Sequence, residues 1–108
     1  YTEALKLYRD LAKVNPEAYL PDVAMTLNNI AILQSDLHQY DKAEENYTEA
    51  LKLYRYLAKV NPEAYLPDVA MTLNNIAILQ SDLHQYDKAE ENYTEALRIR
   101  RDLAKVNP

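Results

Sequence analysis

The chain of 108 residues contains only two histidines, His38 and His84, and they stand 46 positions apart. His38 follows Ser35 at (i, i+3) spacing, which on a helix can bring a hydroxyl near an imidazole. That is one requirement of an activated nucleophile. The chemistry also needs a third group to orient the base and donors for an oxyanion. Neither is visible nearby, and a turn position accounts for the histidine. Asp36, His38 and Asp41 have ligand chemistry for a metal, but around a turn such residues more often cap helix ends. The reading is no catalytic residue, no metal site and no cofactor.

Composition excludes further classes. Without Cys there is no disulfide, thiolate site or cysteine nucleophile. Without Gly there is no phosphate-cradling loop, which needs backbone conformations that only Gly adopts freely. A net charge of −5 and a pI near 4.9 argue against nucleic acid, whose binders carry a basic footprint. The longest apolar runs are four residues, as at 30–33, far short of a membrane span. The chain does not begin with Met and reads as a fragment or a processed piece. With no Cys and no visible leader or span, its compartment leans towards the cytoplasm.

The elements that position these residues come in copies. Residues 1–46 and 47–92 match at every position except Asp10 against Tyr56, and a third copy runs over 93–108. A period of 46 suits a solenoid, so 1–108 reads as a single repeat array. In each copy, Val69, Leu73, Ile76, Ala77, Gln80 and Leu83 recur at helical spacing. They define helix A over 67–84 and 21–38, opening at Pro67 and Pro21. Ala43, Tyr47, Ala50, Leu51, Tyr54, Leu57 and Ala58 line helix B over 41–59 and 87–105, opened by a capping box of Asp87 and Glu90. Its opposite face carries Glu45, Glu49, Lys52 and Lys59, spaced for local ion pairs. Asn61 before Pro62 ends helix B, and 61–66 reads as a short extra turn. The predicted order is B–A–B–A–B, five helices and no strand. Alternating small residues such as Ala31, Ala43, Ala50 and Ala58 suit close antiparallel contacts. Since about three repeats are usually needed for stability, modest stability is expected, or help from neighbouring chains.

The run Leu27-Asn28-Asn29-Ile30-Ala31, followed by Tyr40, Ala43, Tyr47, Ala50 and Leu51, resembles the tetratricopeptide repeat. With Pro21-Asp22-Val23-Ala24 ahead of it, the pattern is similar to the longer kinesin-light-chain-like variant, and it recurs over the whole chain. The resemblance implies an all-α, right-handed superhelical solenoid of antiparallel helix pairs, with A helices lining a concave groove that binds peptides or protein segments without catalysis. The sequence departs from the family pattern at Leu27, Ala31 and Gln34, which are tolerable packing changes. His38 and His84 stand where Gly is common, so a non-Gly residue is asked to end helix A with φ above zero.

On a helical wheel the face of helix A opposite its stripe holds Met25, Asn28, Asn29, Ile32 and Asp36, repeated as Met71, Asn74, Asn75, Ile78 and Asp82. The resemblance puts this face in the groove. Asn can donate to and accept from an extended backbone without reading its sequence, while Met and Ile give adaptable apolar contact. The alternative is that Met25 and Ile32 pack between A helices and the asparagines only link repeats. All twelve Lys and Arg lie on B helices, and helix A contributes only Asp22, Asp36, Asp68 and Asp82. A carboxylate clamp of the family's type is therefore ruled out, and a neutral or basic segment is the expected ligand. The other reading is a structural or engineered array that stacks on itself through its terminal B helices, 1–14 and 93–106, with no specific ligand.

All ten aromatics are Tyr, and most fall on the core side of helix B, where packing rather than base stacking is their role. Tyr56 falls on the polar face instead. Arg100 stands where Tyr8 and Tyr54 stand in the other copies, and a charge there suits a solvent-facing end. Tyr54 is thus expected to be buried and Arg100 exposed. Residues 102–108 repeat 10–16, which is equally consistent with truncation from a longer array.

Overall fold

The computed structural model describes residues 2–106; Tyr1, Asn107 and Pro108, which end the terminal helices and the last partial copy as read from sequence, lie outside them. Five helices follow one another: α1 (Thr2–Val14), α2 (Pro16–Asp36), α3 (Tyr40–Val60), α4 (Pro62–Asp82) and α5 (Tyr86–Val106). In the terms used above, α2 and α4 are A helices, whereas α1, α3 and α5 are B helices. Each packs mainly on its sequence neighbours, giving a superhelical stack of helix pairs with no strand among the described residues.

The joints follow from local chemistry. A single residue, Asn15 or Asn61, separates a B helix from the next A helix, with φ near −140° and ψ near 80°. A following proline drives its predecessor into this extended region, and Pro16 or Pro62 then opens the new helix at a position where no N–H is required. The Asn61 side chain accepts from the Ala64 N–H at 3.4 Å, an N-cap bond. Helix A therefore begins five residues before the expected start, and the extra turn at 61–66 is its own first turn. Pro67 lies inside it. Its missing N–H removes the helix bond to the carbonyl of Glu63, four residues back in an exposed residue. That proximity to the helix end is why a proline expected to start the helix is tolerated within it.

The other joint, 37–39, closes as a Schellman motif. The Gln39 N–H donates to the Gln34 carbonyl at 2.8 Å, and the His38 N–H donates to the Ser35 carbonyl at 3.0 Å. His38 and His84 take φ of 62° and 61°, so histidine does occupy the left-handed position at which Gly is common. Helix B starts at Tyr40 after Gln39, with no side-chain cap bond. Asp41 and Asp87 stand within the first turn and favour the positive helix end by charge rather than by the expected capping box.

The core sits in the seams between helices. Ala24, Ala31, Ala43, Ala50, Ala70 and Ala77 are fully buried and let the backbones approach. Tyr47 and Ala43 of α3 pack with Ile76 and Leu79 of α4. Tyr54, Leu57 and Ala58 pack with Val69 and Leu73, and α5 closes this cluster with Ala96 and Ile99. The first-copy cluster joins Ala12 to Val23, Leu27 and Ala50. Leu79, absent from the sequence-derived stripe, is among the most buried side chains, because helix A is covered by the B helix before it as well as the one after it. Outside, B helices are tied to one another. Arg9 donates to both carboxylate oxygens of Glu49 at 2.9 and 3.1 Å, and Arg55 does the same to Glu95. These largely exposed forks add at most about 1 kcal/mol each, though Arg55 holds the Glu95 carboxyl below its usual range. The local pairs expected among Glu45, Glu49, Lys52 and Lys59 are not formed, Glu49 pairing instead with Arg9; a local (i, i+3) pair among the described residues is Lys13 with Asp10 at 3.9 Å.

Burial separates chemically identical positions. Tyr47 is 4 % exposed, whereas Tyr93 one copy later is 39 % exposed, since among the described residues no A helix packs on that face of α5. Tyr47→Ala should therefore cost about 3–5 kcal/mol and Tyr93→Ala about 1 kcal/mol or less, read from urea unfolding. Burial first, then the Asp36 charge, pushes the Tyr47 hydroxyl up to about 12. Burial first, then Asp68, does the same for Tyr54, also to about 12. An unfolded chain ionises its tyrosines near ~10. The stability these two contribute by staying neutral is complete below that value and is lost as pH rises through about 12. Alkaline unfolding should be shallower in the Tyr47→Phe, Tyr54→Phe variant, with two tyrosinate absorbances removed from the late part of the titration.

Candidate peptide-binding face

The exposed face of the A helices is set by what the seams leave over. Each A helix gives one flank to the preceding B helix and another to the following one. It touches the neighbouring A helix along a narrow third line. The strip that remains carries Met25, Ile32 and Asp36 on α2, with Met71, Ile78 and Asp82 on α4, all exposed. Asn29, Asn74 and Asn75 are half-buried beside them.

Asn28 differs from its expected exposure. It is 4 % exposed, and the Asn75 side-chain amide donates to its carbonyl oxygen at 3.4 Å across the α2–α4 line. Its image Asn74 is half-buried because no further A helix lies over α4. Stacking thus converts a face residue into a link between repeats, which corrects the placement of Asn28 on the open face. A second amide pair was missed from sequence. The Asn46 side chain donates to Gln34 Oε1 at 2.8 Å, and Asn92 does so to Gln80 at the same distance. These half-buried pairs join each A helix to the following B helix. The signal was available as a Gln on the apolar stripe facing an Asn 12 residues on.

The remaining chemical candidates take structural places. His38 Nδ1 lies 2.6 Å from the Tyr40 hydroxyl, and His84 Nδ1 lies 2.7 Å from that of Tyr86. The imidazole is thus directed forward along the turn to a tyrosine, and its link to Ser35 is through the backbone. Among the described residues no group of three or more His, Asp or Glu side chains is arranged to hold a metal ion. No helix among them is long and apolar enough to cross a membrane.

Charge on the A helices is one-sided. With their observed bounds, α2 carries Glu17, Asp22 and Asp36, and α4 carries Glu63, Asp68 and Asp82, without a single Lys or Arg. Burial pushes the Asp68 carboxyl above its ordinary range, marking the N-terminal part of α4 as partly desolvated. Such a strip can hold apolar side chains on Met and Ile and cations on its carboxylates.

The amide link predicts unequal effects at equivalent positions. Asn75→Ala should destabilise by about 1 kcal/mol, since it leaves the buried Asn28 oxygen without its donor. Asn29→Ala, whose counterpart acceptor would lie on a preceding A helix, should change stability by less than half as much in the same urea series.

Family models described as tetratricopeptide repeat match residues 1–55 and 69–107, the second of the kinesin-light-chain-like type. A search of curated proteins found no match to the chain. Five consecutively packed helices, the 46-residue period and the two family matches agree: the chain belongs to the tetratricopeptide repeat family, whose repeats mediate protein–protein interaction and are not themselves catalytic.

Proposed function

We propose that residues 1–108 act as one repeat array that binds an extended, neutral or basic protein segment along the exposed strip of its A helices. The observation that carries this reading is the register of the strip: Met, Ile and Asp recur 46 residues apart on adjacent parallel helices, exposed in both copies. A ladder of equivalent positions suits repeated contact with a main chain better than a single pocket. Asn29 and Asn74 can exchange hydrogen bonds with backbone amides, while Asn75, whose amide donates to Asn28, offers its Oδ1 as an acceptor. Met and Ile supply adaptable contact, and the carboxylates favour cations while repelling acidic segments. Asn28 contributes by holding the two A helices in register rather than by touching the ligand.

A second reading has its own observation. The outer faces of the terminal helices stay apolar, with Leu7 on α1 and Tyr86, Tyr93 and Leu97 on α5 all exposed, so self-association through these helices is the alternative function of the array.

Labelled extended peptides of matched length and opposite charge distinguish a groove from an inert surface. Lys-containing peptides should bind saturably and more tightly than Glu-containing ones. Ile32→Ala with Ile78→Ala should weaken binding about tenfold, and Asp36→Asn with Asp82→Asn should abolish the charge preference. Equal binding by the Ile variant, or a preference for acidic peptides, would refute the groove reading.

A further inference from the structure

Consecutive B helices do not close completely against each other. Where α1 and α3 flank α2, a cavity of about 300 Å³ opens beside the Arg9–Glu49 fork, floored by Ala12, Leu20, Val23 and Leu53. One copy later α3 and α5 flank α4 around a cavity of about 330 Å³, floored by Ala58, Leu66, Val69 and Ile99. The floors match position for position, with Ile99 in the place of Leu53. The cause is local. Ala12 and Ala58 let each B helix approach the A helix beneath it, and a side chain that ends at Cβ leaves the space beside it unfilled. Neither notch is made by an end of the chain. The first is open although a further A helix, α4, packs on α3, and the second is flanked by the complete helix α3.

The rims carry the opposite charge to the A-helix strip. The second notch is lined by Arg55, Lys59 and Arg98 against one carboxylate, Glu95, which already holds Arg55 through both oxygens. The first is lined by Arg9 and Lys13 against Glu49, likewise held by Arg9. Lys13 has a further carboxylate, Asp10, at 3.9 Å. Three residues before Lys59 the chain has Tyr56 instead, so the one substitution between the two full copies removes an acid beside the second rim. Among the lining side chains positive charge is left over at both notches, and more of it at the second.

We propose that the two notches are docking sites for a partner protein segment in which an apolar side chain is followed by carboxylates. Each floor takes one branched or aromatic side chain, the space being at the low end of ligand sites, which run roughly from 300 to 1,000 Å³. Lys13, Lys59 and Arg98 then pair with the acids beside that anchor. An apolar anchor in a pocket under a polar rim is the arrangement that concentrates binding energy at protein interfaces. The site is separate from the strip, since none of Met25, Ile32, Asp36 or their copies lines either notch. The array would thus hold two segments of opposite charge at once, one on its A helices and one between its B helices.

Methyl NMR of the full chain, titrated with Ser-rich peptides, tests this. A peptide carrying a Leu-Glu-Glu anchor should bind saturably and shift the methyls of Leu20, Val23, Leu66 and Val69, leaving those of Met25, Ile32, Met71 and Ile78 in place. Lys13→Glu should weaken binding at the first notch at least about tenfold, and Lys59→Glu at the second, each at an exposed position and with unchanged helicity. Ile32→Ala with Ile78→Ala should leave notch binding unchanged, which keeps its failure separate from that of the strip reading. Binding that survives replacement of the peptide's Leu by Ser is charge attraction without a notch. Shifts confined to the Met and Ile methyls assign the peptide to the strip. Notch shifts that grow with protein concentration alone assign the notches to a second copy, and shifts from laurate but not from peptide assign them to a lipid. Any of these four results overturns the proposal.

Discussion

The seam in which a B helix receives the following A helix is the contact on which the rest of the structure depends. No helix here can bury its own apolar stripe, and α2 and α4 are too apolar around their circumference to stand free. The tyrosines of α3 solve this by covering α4 with large rings, while alanines beneath them let the backbones close up. Everything else is arranged around that contact. The one-residue joint at Asn61 delivers helix A directly onto the ring face, and the turn at 37–39 returns the chain for the next B helix. The strip of Met, Ile and Asp is what remains of the A-helix surface once both seams are filled. The exposed strip is therefore a by-product of packing, and its spacing is set by tyrosine and alanine rather than by its own Met, Ile and Asp.

Much of this was legible in the sequence because it depends on local rules repeated in register. The helix order and number, the inward tyrosines, the exposed Tyr56 and Arg100, and the left-handed histidines all follow from periodicity and turn chemistry. The errors share one cause: a neighbour that a helical wheel does not contain. Leu79 fell outside the single stripe, and Asn28 was placed on the open face, until a second helix lay over each. Pro67 read as a helix start because proline usually marks one. Only the stronger Asn61–Pro62 signal upstream, with Pro67 still close to that helix end, moves the boundary back to Pro62. The exposed strip was legible in its residue types and its lack of Lys and Arg. Its division into face residues and linking residues was not, because that division is decided between repeats.

Near-perfect repetition makes position, not composition, the source of difference. Tyr47 and Tyr93 share neighbours along the chain for many residues, yet one is core and the other surface. The same holds for Leu79 and Leu33, and for Asn28 and Asn74. Interior copies are defined by what covers them, so burial is greatest along α3 and α4.

The joints also decide how the array can deform. A linker of one residue, pinned between a helix end and a proline ring, has almost no free torsion, and the three-residue turn is already closed by its own backbone bonds. Neither acts as a pivot. Any bending would have to be spread over the seams, where rings lie on alanines, rather than concentrated at one joint. A load applied at one end would be shared among all the seams, and the pitch of the strip would change by stretching uniformly instead of opening at one place.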